Sequence, residues 1–115
     1  MTTSEIATVL AWHDALNEQD FDTLLQVSSD DIEFGDANGA GQGSEGLLEW
    51  ASSLAVTAAD PGRMYVRGGV VVAEEQDGEA VAFRVVRDHV TSVFRHPDLA
   101  TALAATELTE KDLVG

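Results

Sequence analysis

The sequence predicts an α+β fold in one domain spanning residues 1–115, a curved antiparallel sheet wrapped around three to four helices. Three observations carry that expectation. Apolar residues recur at helical spacing over 6–16 and again over 47–58. From Met64 onward the pattern changes to short apolar runs parted by turn residues, and Asp77-Gly78 is the strongest hairpin turn in the chain. Hydrophobic residues make up 44 % of the chain, enough for a core that buries roughly two thirds of the unfolded surface at this length.

Taken in order, Thr2-Thr3-Ser4-Glu5 fits a capping box, with Thr2 as cap and Glu5 three residues on. Ile6, Val9, Leu10, Trp12 and Leu16 then form one stripe, with His13 near its middle and Asp14 and Glu18 outside it. Residues 17–20 close this helix, and Asp20 caps a short second one through Phe21, Leu24, Leu25 and Val27. Residues 28–31 read as a turn. Ile32-Glu33-Phe34 alternates as a strand does, so Ile32 and Phe34 share a face with Asp36 by parity, and Glu33 takes the other. The stretch 37–43 holds three glycines in seven residues and reads as loop. It is no phosphate cradle, because no Lys follows it and the GxGxxG spacing is absent.

Ser44 caps a third helix with Leu47, Trp50, Ala51, Leu54 and Ala58 inward, and Asp60-Pro61-Gly62 stops it. A four-strand meander follows over 64–67, 70–76, 79–86 and 90–96, with Arg87-Asp88 as a second tight turn. Pro97 ends it, Asp98 caps a last helix through Leu99, Ala102 and Leu103, and 109–115 is a polar tail. With one face of the meander on the helices, Val70, Val72, Val86 and Val93 are candidates for the other, which implies a homodimer through the sheet.

Charge excludes one class of partner. Twenty-one acids against six Lys and Arg give −15, which repels a phosphate backbone, so nucleic acid is not expected. The same charge reads as a solvated surface or as attraction for cationic ligands. There is no cysteine, so neither a disulfide nor a thiolate site is available. His13, His89 and His96 show neither HExxH nor His-x-His spacing, and no metal or other cofactor is expected. No charged-then-apolar leader opens the chain and no apolar run nears the roughly 18 residues of a membrane span, so a soluble cytoplasmic protein is the expectation.

Several motifs together resemble the NTF2-like superfamily, which includes ketosteroid isomerase and the SnoaL-like polyketide cyclases. They are Trp12-His13-Asp14-Ala15-Leu16-Asn17 with Asp20 and Leu24, then Ser29-Asp30-Asp31-Ile32-Glu33-Phe34. Gly43-Ser44-Glu45-Gly46-Leu47 and Val93-Phe94-Arg95-His96-Pro97-Asp98-Leu99 complete a resemblance over about residues 4–108. It implies a cone with a small apolar cavity. It also implies that Asp36 stands where the isomerase has its general base. Trp12 stands where that enzyme has its oxyanion-binding tyrosine, and Val81 near its protonated acid.

Asp36 and His13 are the candidate catalytic pair, a carboxylate just past a strand and an imidazole on an apolar face. Burial there would raise the carboxyl pKa and make Asp36 a better base near neutral pH. Trp12, Leu16, Phe34, Trp50, Val81, Phe83 and His96 are the candidate ligand-binding residues. Arg95 and His96 are adjacent and point to opposite faces, and the sequence leaves open which one reaches the cavity. His89 reads as a turn residue. Two functions stay open: an isomerase, cyclase or hydrolase acting on a small hydrophobic molecule by acid–base catalysis, or a non-catalytic ligand-binding or dimerisation module.

Overall fold

A computed structural model describes residues 2–36, 39–53, 63–74 and 78–114, with the side chains of 2–4, 36, 51–53 and 114 outside that description. Helix α1 (Thr2–Asn17) buries Val9, Trp12, His13 and Leu16, as the spacing requires. Leu10 departs from the expected stripe and is exposed, because it lies about 100° around the helix from Val9. The helix is already under way at Thr2, and the proposed cap falls among the side chains outside the description. Its other end closes through Asp20 N–H bonding the Ala15 carbonyl at 2.8 Å, with Gln19 at φ 55°. Asp20 then caps α2 (Phe21–Gln26) by accepting from the Thr23 N–H at 3.3 Å.

Strand β1 (Ser28–Asp36) overturns the expected turn at 28–31. Ser28 pairs with Val90 and the ladder is irregular from there to Glu33, so exposed Asp30 and Asp31 sit in a distorted stretch of strand. The glycine-rich run is likewise not all loop. Strand β2 (Gly39–Gln42) folds back on β1, pairing Phe34 with Gly41 and Gly35 with Ala40. The glycine composition serves packing here: a Cβ on Gly41 would stand 2.6 Å from Phe34 Cζ, and one on Gly46 3.0 Å from it. Helix α3 (Ser44–Ser53) buries Leu47 and sets Trp50 on the Phe34 ring, with centroids 5.2 Å apart. Leu54, Ala58 and the Asp60-Pro61-Gly62 stop lie outside the described residues.

The meander appears as β3 (Met64–Arg67), β4 (Val70–Glu74), β5 (Ala80–Val86) and β6 (His89–His96), antiparallel throughout. Gly78 has φ +91°, in keeping with a tight turn, while Asp77 lies outside the described residues. Helix α4 (Leu99–Thr106) is capped by Asp98, whose carboxylate accepts from the Thr101 N–H at 2.7 Å. The tail is more ordered than its polarity implied. Thr109 caps a 3-10 turn (Glu110–Asp112), and β7 (Leu113–Val114) pairs with β3.

The described strands form one curved mixed sheet of order β2-β1-β6-β5-β4-β3-β7. Its one parallel pair, β1 with β6, is possible because α3 and β3–β5 lie between them in the chain. One face, here the inner face, carries Phe34, Val66, Val71, Val81, Phe83 and Val93 against α1, α2 and α3. The outer face carries Tyr65, Val72, Ala80 and Ala82 beneath α4.

That layering corrects the exposed-face expectation. Val93 belongs to the inner core, Val72 is sealed under α4, and Val70 is half-buried beside it; Val86 alone of the four is exposed, at 49 %. What α4 leaves uncovered is a strip along β6 and β1. There a groove of about 550 Å³ is lined by Gly35, Arg84, Ser92, Phe94 and His96, with Thr106 at the end of α4.

Candidate functional site

Pairing across strands decides which side chains share a face, since directly opposed residues project to the same side. Phe34, Val93 and Phe83 are paired in succession across β1, β6 and β5 and make one row of the inner face. His13 joins this row from α1. Its ring lies 5.7 Å from that of Phe83 and 6.2 Å from that of Trp12, and the residue is 3 % exposed. The next row toward the strand ends holds Val81 opposite Arg95. Asp36 follows Gly35, just as Arg95 follows Phe94, and Gly35 and Phe94 are paired. Asp36 therefore closes β1 beside Arg95 in the backbone ladder, roughly 7 Å along the strands from the His13 row. The Asp36 side chain lies outside the described residues.

Trp12 is placed where the sequence put it, but its polar group is committed. Nε1–H donates to Ser28 Oγ at 3.0 Å, and that hydroxyl donates to the Leu24 carbonyl at 2.7 Å. The relay ties α1 to the α2–β1 junction and satisfies an indole N–H that burial would otherwise penalise. An oxyanion donor at Trp12 is thus not on offer in this arrangement. Trp12, Leu16, Phe34, Val81 and Phe83 belong to one buried cluster, with Trp50 packed against it.

Strand pairing separates Arg95 and His96, which the sequence left open. The partner of His96 is Ala80, which packs beneath α4, so His96 lies on the outer face and lines the groove there. Arg95 takes the inner face instead. Its side chain is 14 % exposed, and Nη2 donates to Glu79 Oε2 at 3.0 Å. The reason the sequence left this open is one of parity: once Val93 is known to face inward, so must Arg95 two residues on. His89 begins β6 exposed, its Nδ1 2.9 Å from the Arg87 carbonyl, in keeping with a turn position.

Among the described residues no group of His, Asp and Glu is arranged to hold a metal, and no helix is long and apolar enough to cross a membrane. Among the described residues one carboxyl has its pKa clearly moved. Asp98 is held below the ordinary carboxylate range, chiefly by the Thr101 backbone N–H, then by the Thr101 side chain, with His96 adding attraction.

No family model matches the chain, and no curated protein matches it. Solved structures do. An NTF2-like protein from Burkholderia xenovorans LB400 is 19 % identical, covering 90 % of this chain and 96 % of its own, with a TM-score of 0.72. An NTF2-like protein of unknown function from Cytophaga hutchinsonii is 16 % identical over 80 % of this chain and 88 % of its own, with a TM-score of 0.68. An LEH-like epoxide hydrolase from M. tuberculosis is 18 % identical over 90 % and 91 %, with a TM-score of 0.67. At such identities the likeness concerns the course of the backbone and not the chemistry. The chain has the NTF2-like fold, as the resemblance of its motifs implied.

Proposed function

We propose that the protein catalyses a proton-transfer reaction, an isomerisation, cyclisation or hydrolysis, on a small hydrophobic molecule held against the inner face of the sheet. The observation that supports this is the placing of His13. An imidazole is buried among aromatic rings on the inner face, one row from the strand end that carries Asp36. In this reading Asp36 moves the proton and His13 assists. Hydrolysis stays among the reactions because one protein of the same fold is an LEH-like epoxide hydrolase. Steroid isomerisation is expected to be weak or absent: the Trp12 N–H is spent on Ser28 and Val81 has no donor, and such donors are commonly the largest electrostatic contribution.

The test is a turnover screen of small ketones, enols and epoxides, followed by Asp36→Asn and His13→Ala on any substrate found. Asp36→Asn is nearly isosteric but cannot accept the proton, so turnover should fall about 10²–10⁴-fold with folding intact. Undiminished turnover in both variants would end the mechanism. The second reading, a non-catalytic binding or dimerisation module, has its own support. Trp12, Leu16, Phe34, Val81 and Phe83 are each no more than 6 % exposed, so the described inner face is filled by its own side chains.

A further inference from the structure

Taking the inner face as the ligand site, we propose that Arg95 is its specificity-determining residue, so that the small hydrophobic ligand carries a carboxylate or an equivalent oxyanion. Of the six Lys and Arg residues, the other five (Arg63, Arg67, Arg84, Arg87 and Lys111) are exposed. Arg95 alone is drawn onto the inner face, opposite Val81 and one step beyond Val93 and Phe83 in the row above. Removing a guanidinium from water is costly unless its donors find partners. Arg has five such donors in a planar fork. Glu79 takes one of them, from Nη2, and among the described residues no other group accepts from the guanidinium. Glu79 is itself the outward partner, its side chain 41 % exposed against 14 % for Arg95.

The pair therefore neutralises Arg95 without using up its fork. The remaining donors match a carboxylate, which accepts two parallel N–H bonds. The net charge works against an anion. A chain at −15 repels small anions from its surface at large, so an anionic ligand needs a local cation, and Arg95 supplies one beside the backbone position of Asp36.

The experiment compares 4-phenylbutyrate with its uncharged amide, 4-phenylbutanamide, binding to the whole protein by calorimetry at pH 7. The wild type should bind the acid at least ~10-fold more tightly than the amide, the difference left when a built donor set loses its partner. Arg95→Gln should erase that preference, and Arg95→Lys, which keeps the charge but not the fork, should retain part of it. Glu79→Gln should strengthen binding of the acid, because a competing carboxylate is gone. That sign separates recognition from a merely structural ion pair, which both Gln substitutions would weaken alike with no change in preference. Equal affinity for acid and amide in the wild type, no binding of either, an unchanged preference in Arg95→Gln, or weaker acid binding in Glu79→Gln overturns the proposal. If Arg95→Gln fails to fold by circular dichroism, Arg95→Lys and Glu79→Gln decide the matter. The preference is read without turnover, so an inactive protein that keeps it sinks the catalytic reading alone.

Discussion

Replacing Ser28 by Ala should cost this protein more than a small buried hydroxyl commonly does. The Oγ has two bonds: it accepts from Trp12 Nε1–H at 3.0 Å and donates to the Leu24 carbonyl at 2.7 Å. Both Trp12 and Ser28 are buried, so water cannot take over either role. Orphaning the indole N–H costs about 1–3 kcal/mol, and losing the bond to Leu24 about 1 kcal/mol more. The sum, about 2–4 kcal/mol, corresponds to a fall in Tm of roughly 8–16 °C for a domain of this size. Urea denaturation followed by far-UV circular dichroism measures it directly. A double-mutant cycle isolates the cause. In a Trp12→Phe background there is no N–H to orphan, so Ser28→Ala should cost only about 1 kcal/mol there. A Ser28→Ala protein within about 0.5 kcal/mol of wild type, or an equal cost in both backgrounds, would refute the relay as a source of stability.

Three further expectations rest on other parts of the fold. Gly41→Ala should destabilise by about 1–3 kcal/mol through collision with the Phe34 ring, and Gly46→Ala by less, with Phe34→Leu relieving the first; equal stabilities in urea would contradict this. Asp98→Ala should destabilise α4 most above the ordinary carboxylate pKa. A depressed folded-state pKa adds stability that is present at neutral pH and lost as pH falls through it, so the gap from wild type should close in acid, and a gap constant from pH 6 to pH 2.5 would exclude the cap's charge. The expected homodimer would use the strip beside α4, where Phe94 is half-buried. Sedimentation at micromolar concentration should show twice 12.2 kDa and Phe94→Glu a monomer, whereas wild type sedimenting only as a 12.2 kDa species rejects it.

Much of this molecule can be read from neighbours along the chain. The α1 stripe, the Asp20 and Asp98 caps, the Arg87-Asp88 turn and the alternation of Ile32 and Phe34 depend on residues within a turn or two, and all but Leu10 of the stripe appear as expected. The family resemblance is of the same kind, since it rests on local motifs in order. Long-range pairing was not legible. The parallel bond of β1 to β6 joins residues some sixty apart, and it turns the expected turn at 28–31 into strand. The glycine run became β2 because Phe34 needed the space above Gly41, a demand invisible in the run itself. Arg95 and His96 show the point most sharply. Period-two alternation says only that they differ, and the inside of the sheet is defined by α1 lying on one face and α4 on the other. Once those helices are in place, a single parity sends the guanidinium inward and the imidazole to the outer groove, because register is a property of the assembled sheet rather than of any one strand.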